Sequence, residues 1–164
     1  YNGSNTINII LDNRITGMTG HQENPGSGYT LQGKETKEID IEVMVRACGI
    51  DHLVTIDPND LTAVKNALKW AESLDEPSVI ITRWPCVLKK LNDKDKIEFI
   101  DVFKSKCYVD QDMCIGCRAC TRTGCPAIEF DYEGKKSYIN PTACVGCTVC
   151  LQVCPVQAIK KEGE

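Results

Sequence analysis

"CIGCRACTRTGCP" (residues 114–126) and "CVGCTVCLQVCP" (residues 144–155) are two versions of one phrase, offset by 30 residues from Cys114 to Cys144. The match continues through "CPAIEF" and "CPVQAI", which makes this stretch an internal duplication. The second copy reads C-x2-C-x2-C-x3-C-P, the spacing of a bacterial-type [4Fe–4S] motif. Three cysteines on one tight turn reach three corners of a cubane, but the same stretch of backbone cannot also serve the last iron. In two-cluster proteins the fourth thiolate comes from the other copy. Cys114, Cys117, Cys120 and Cys154 are therefore expected to hold one cluster, and Cys144, Cys147, Cys150 and Cys125 the other. The first copy carries four residues, Thr121–Gly124, before its last cysteine. One extra residue is easily absorbed just ahead of a ligand that crosses over. Pro126 and Pro155 end each motif and turn the chain away. Zinc prefers four thiolates in paired knuckles, and two triplets with crossing singles suit it less well.

Composition agrees with this reading. The chain has 11 cysteines, of which only Cys48 and Cys86 precede residue 107. An odd count at tight spacing points to metal rather than disulfides, and reduced thiolates imply a cytoplasmic, anaerobic setting. The longest apolar runs, "INIIL" and "SVII", are far too short to span a bilayer, and no leader-like segment is visible. The net charge of −4 is spread over both halves without a basic stripe, which argues against a nucleic-acid partner. "IEFDYEGKKSYI" alternates and turns near Glu133-Gly134-Lys135, as a β-hairpin does. Cys107, just ahead of the first motif, is expected to pack as a small buried hydrophobe.

Upstream, strand and helix signals alternate. "TINIIL" reads as a strand buried on both faces. "DIEVMVRACG" reads as a helix capped by Asp40, with Ile41, Met44, Val45 and Cys48 on its apolar stripe; Cys48 is thus expected in the core. "HLVTI" is the next strand, "NDLTAVKNALKWAESL" a helix capped at Asn59 or Asp60, and "SVIIT" the third strand. Strands separated by helices predict a parallel sheet. The charged stretch 89–106 reads as a linker. The expected organisation is an α/β parallel-sheet domain (1–88), this linker, and a smaller α+β domain (107–164). Cys86, in "RWPC" past a strand end, stays open, and His52 is expected to be structural.

The first strand runs into "LDNRITGMTGHQ" (11–22), a polar, Gly-rich loop. In parallel sheets ligands bind beyond the carboxyl ends of the strands. Asn13 can offer a side-chain carbonyl, and Ile15 a main-chain carbonyl, to a hard cation such as Mg²⁺. "TGMTG" can supply hydroxyls and amides to phosphate oxygens. Taken alone, the same stretch reads equally well as a plain turn, and His21 as a surface histidine.

"ILDNRITGMTGHQENPGSG" resembles the second half of the thiamine diphosphate motif of the 2-oxoacid:ferredoxin oxidoreductases, and "CIGC…CVGC" resembles their two-cluster ferredoxin domain. The combination is most similar to the C-terminal part of the α subunit in the indolepyruvate branch of that family. The resemblance implies a partial thiamine diphosphate-binding fold followed by a bacterial-type 2[4Fe–4S] ferredoxin fold. It further implies that Asn13 and Ile15 ligate Mg²⁺, that Thr16, Gly17, Met18 and Thr19 line the cofactor, and that His21 and Gln22 face the substrate pocket. The implied reaction is oxidative decarboxylation of a 2-oxoacid to its acyl-CoA, with electrons leaving through the clusters to an external ferredoxin. The implied partners are the rest of the α subunit, a β subunit, ferredoxin and coenzyme A. The motif's Gly-Asp half and the pyrimidine-binding domain with its Glu would precede Tyr1, so the chain is expected to be a fragment, inactive by itself. Two alternatives stand beside this one. The substrate is then pyruvate, 2-oxoglutarate or phenylglyoxylate, or the chain is an electron-transfer subunit whose first half is only a docking module.

Overall fold

The computed structural model describes residues 3–100 and 103–163 and divides the chain into two compact units, Tyr1–Ile100 and Asp101–Glu164. In the first unit β1 (Ile7–Asp12), β2 (His52–Ile56) and β3 (Ser78–Arg83) form a parallel sheet in the order β1-β3-β2. Helices α1 (Ile41–Ala47) and α2 (Leu61–Glu72) are started by Asp40 and Asp60, whose carboxylates accept first-turn amides. The central strand distributes its side chains by the period of two. Val79 and Ile81 pack with Val45, Ile41, Ile10 and Leu53 on one face, while Ile80 packs with Ala67, Ala71, Val54 and Ile56 on the other.

Two expectations fail at the margins of this sheet. β1 is an edge strand, and Ile7, Ile9 and Leu11 are exposed rather than buried on both faces. They lie in register with Ser78, Ile80 and Thr82, on the face α2 shares, but α2 packs only over β2 and β3. Cys48 is exposed, not core. α1 ends one residue earlier, so Cys48 is its C-cap and the stripe that meets the sheet stops at Val45.

The stretch 89–106, expected as a linker, carries a helix, α3 (Asp93–Glu98), and up to Ile100 it belongs to the first unit. α3 starts with a capping box: Asn92 Oδ1 accepts the Asp95 amide at 2.8 Å and Asp95 returns the bond at 3.2 Å. Asp95 and Lys89 are buried as an ion pair. A linker would leave such charges in water, and here tertiary contact has removed them from it.

The second unit holds two antiparallel pairs, β4 (Cys107–Val109) with β7 (Ile159–Lys161) and β5 (Ile128–Asp131) with β6 (Lys136–Ile139). The latter pair is the expected hairpin. A 3₁₀ turn (Cys120–Thr123) follows the first cysteine triplet, and helix α4 (Val149–Val153) overlaps the end of the second. Cys107, Cys120, Cys144 and Cys150 form the core with Val109, Ala127, Ile128 and Ile159. Cys107 is thus buried, as packing required.

Candidate cofactor loop and paired cysteine sites

The duplication reaches further back than the cysteines. Cys114 donates its amide to Asp110 O, and Cys144 to Asn140 O, both at 3.0 Å. The Asp110 and Asn140 side chains each accept the amide two residues on, at 3.0 Å. Both copies then pass through left-handed backbone at matching positions: Gly116 and Gly146 (φ +68° and +76°), then Arg118 and Thr148 (61° and 64°). A Cβ at Gly116 would collide with the Lys135 carbonyl oxygen, and one at Gly146 with that of Ser105. Gly116→Ala is therefore expected to cost more than the roughly 1–2 kcal/mol of left-handed strain alone. Iron content of the purified variant, reduced relative to the parent, checks this.

The two triplets bring in their distant cysteines differently. Cys114, Cys117, Cys120 and Cys154 line one small apolar pocket together with Ile115 and Ala158. Around the other triplet, burial pushes the Cys147 thiol up, and repulsion from Cys125, Cys107 and Cys144 adds to it. Cys154 thus lies with the first triplet, and Cys125 packs against the core that holds Cys107, Cys120, Cys144 and Cys150. Among the described residues no three His, Cys, Asp or Glu side chains are arranged to hold a single metal ion. Amides point at one sulfur of each set, from Cys107 to Cys144 Sγ at 3.4 Å and from Ala158 to Cys154 Sγ at 3.2 Å. The Arg118 guanidinium, beside the first triplet, lies over the rings of Phe130 and Tyr132 at 4.9 and 5.3 Å.

In the first unit the loop after β1 is built on its first three residues. Asp12 O accepts the Trp84 amide at 3.0 Å and Asn13 O the Cys86 amide at 2.9 Å, so the chain after β3 prolongs the sheet alongside the loop. This places Cys86, left open by the sequence, beside Asn13. Asn13 Oδ1 accepts the Ile15 amide at 3.2 Å. Arg14, in left-handed backbone at φ 60°, turns inward and is buried. It donates to Gly26 O at 2.7 Å and Glu38 Oε1 at 3.0 Å, and its Nε lies 3.4 Å from Asp95 Oδ1. Burial works against its charge, but the Glu38 hydrogen bond and the attraction of Glu38, Glu98 and Asp12 outweigh it, so the Arg14 pKa is raised.

Asn13, Ile15 and Thr16 line an open groove together with Asn24, Ile39 and Met44. Thr16 and Gln22 then pair by two backbone bonds of 2.9 and 3.1 Å, closing the residues between them into a projecting turn. Met18 is fully exposed on that turn, and His21 is exposed at φ 60°. The structure thus gathers Asn13, Ile15 and Thr16 at one groove, while Met18 and His21 stand on the surface of this unit. The donor set fits a hard divalent cation, because an amide oxygen and a main-chain carbonyl are oxygen ligands of the kind Mg²⁺ takes.

The first unit thus presents a polar loop beyond a parallel strand, and the second a duplicated cysteine unit. Residues 1–82 match the family described as thiamine pyrophosphate enzyme, C-terminal TPP binding domain, and residues 107–161 match the 4Fe-4S dicluster domain. The chain belongs to the thiamine pyrophosphate enzyme family through that C-terminal binding domain, and it continues into a 4Fe–4S dicluster domain. Over its whole length it is similar to Indolepyruvate oxidoreductase subunit IorA of Thermococcus kodakarensis, at 41% identity. The subunit of the same name from Archaeoglobus fulgidus is 37% identical over 98% of the chain. The chain spans 25% of the length of each of these curated relatives. Ferredoxin I from Desulfovibrio africanus is 36% identical over 37% of this chain and 98% of its own, with a TM-score of 0.33.

Proposed function

We propose that this chain is the C-terminal part of the α subunit of a thiamine diphosphate-dependent 2-oxoacid:ferredoxin oxidoreductase, with indolepyruvate or another aryl pyruvate as substrate. The observation that carries the reading is the presence, in one chain, of a thiamine pyrophosphate-binding domain with its Asn13–Thr16 loop and a duplicated 4Fe–4S dicluster motif. Asn13 Oδ1 and the Ile15 carbonyl hold Mg²⁺, while Thr16, Gly17, Met18 and Thr19 line the diphosphate and thiazolium, and His21 with Gln22 borders the substrate. Bound thiamine diphosphate supplies the carbanion-stabilising chemistry that decarboxylation of a 2-oxoacid requires. Residues outside this chain, in the rest of the α subunit and in a β subunit, complete the site.

Cys114, Cys117, Cys120 and Cys154 hold one [4Fe–4S] cluster, and Cys144, Cys147, Cys150 and Cys125 the other. Their nearness within one small unit gives single electrons a path towards an external ferredoxin, and coenzyme A takes the acyl group. Among the described residues no helix is long and apolar enough to cross a membrane; a cytoplasmic, anaerobic setting suits the free thiols.

The test is an anaerobic assay of the native complex containing the full-length subunit. Viologen reduction is followed with indolepyruvate, pyruvate, 2-oxoglutarate and phenylglyoxylate, with and without coenzyme A. The expected result is reduction that prefers the aryl pyruvate and requires coenzyme A. Preference for another acid moves the substrate and keeps the chemistry. No reduction by any acid, with clusters intact and no thiamine diphosphate bound, leaves an electron-transfer subunit on a non-catalytic module.

A further inference from the structure

The 30-residue offset that superposes the cysteine motifs also superposes Cys107 on Ser137, and the two equivalent side chains are both buried. Ser137 lies on β6 and is 2% exposed, a hydroxyl enclosed in the core, with its Oγ 3.3 Å from Cys120 Sγ. Cys107 lies on β4, also 2% exposed, packed in one core with Cys150 and Cys144, and its amide points at Cys144 Sγ at 3.4 Å. Cys120 and Cys150 are the third cysteines of their triplets. Each triplet thus has one buried side chain packed beside it at the matching position, a serine in one copy and a cysteine in the other. In the free thiol form Cys120 donates to Ser137. Once that sulfur is an iron-bound thiolate it has no proton to give, and the hydroxyl has to be the donor. The same holds for the Cys107 thiol packed beside Cys150.

On the reading of the cysteines as ligands of two [4Fe–4S] clusters, we propose that Ser137 and Cys107 are positioning residues that set the two reduction potentials separately. Each does so by donating a hydrogen bond to the third cysteine sulfur of one cluster. Such bonds draw electron density from the sulfur, favour the reduced, more negative cluster and raise its potential. A hydroxyl is the stronger donor and a thiol the weaker, so the cluster of Cys114, Cys117, Cys120 and Cys154 receives the larger rise from this position. The duplicated scaffold thereby acquires unequal carriers through one residue pair that ligates nothing.

The experiment is an anaerobic redox titration of the full-length subunit followed by electron paramagnetic resonance, on parent, Ser137→Ala and Cys107→Ser. In Ser137→Ala one cluster is expected to fall in potential, so that at fixed potential its reduced-to-oxidised ratio drops by about tenfold, equivalent to about 59 mV for one electron. The other cluster stays in place. In Cys107→Ser the stronger donor shifts the second cluster upward and leaves the first unchanged. Should Ser137→Ala fail to load, Ser137→Cys, which copies the second site, is expected to give a smaller fall. Unchanged potentials in fully loaded variants, or equal movement of both clusters, would falsify the proposal. Loss of a cluster in Cys107→Ser, with that cluster retained in Cys125→Ser, would make Cys107 a ligand and overturn it too. A parent protein without two [4Fe–4S] signals refutes instead the ligand reading on which the proposal rests.

Discussion

Cys125→Ser in the full-length subunit is expected to remove the cluster of Cys144, Cys147 and Cys150 and to leave the nearer triplet, Cys114 to Cys120, loaded. Cys154→Ser is expected to do the converse. Iron should fall from about eight atoms per chain towards about four in each variant, and the surviving spectrum should differ between the two. The reason is that Cys154 lines the pocket of the first triplet, and in a duplicated two-cluster motif the last cysteine of each copy serves the other cluster. Loss of the same-motif cluster in either variant would sink the crossed assignment.

Asp95→Ala is expected to have the largest effect on folding of any single change in the first unit. Asp95 is fully buried and takes both the Lys89 ammonium and Arg14 Nε. Removing it strands the buried Lys89 ammonium, while Arg14 keeps Glu38, Glu98 and Asp12; breaking such a buried pair costs about 3–5 kcal/mol, a large part of the roughly 5–15 kcal/mol that holds a domain folded. Denaturant unfolding of the full-length subunit measures the loss. Removing Lys89 as well, in Lys89→Met/Asp95→Ala, should recover part of it, because one unpaired charge disappears. A change under about 1 kcal/mol in Asp95→Ala would mean that water reaches the site and the pair is ordinary surface electrostatics. The consequence reaches the cofactor loop, since Arg14 follows Asn13 directly and ties the loop to Gly26, Glu38 and Asp95.

What the chain spells out locally was legible. Ligand spacing in "CVGCTVC" is a statement about one turn of backbone, so the cluster type followed without knowing any neighbour. Asp40 and Asp60 announced their helices because a cap and the amides it accepts lie within three residues. The hairpin 128–139 was readable for the same reason, and the loop after β1 could be matched to a cofactor motif.

Other features depend on which segments meet, and no local pattern contains that. "TINIIL" looks the same at the centre of a sheet or at its edge; only the order β1-β3-β2 decides that Ile7, Ile9 and Leu11 are exposed. Cys48 keeps helical spacing with Val45 but falls past the last residue that touches the sheet. The charges of 89–98 resemble a solvated linker until Arg14, 81 residues from Asp95, folds against them. Ser137 and Cys107 lie outside the spaced cysteine runs, and only the folded chain shows that they pack beside those cysteines. Sequence by itself determined the cofactor classes, because ligand sets are short-range chemistry. Only the tertiary structure decided which charges are buried and which side chains reach the sulfurs, because burial and long-range contact are properties of the packed chain.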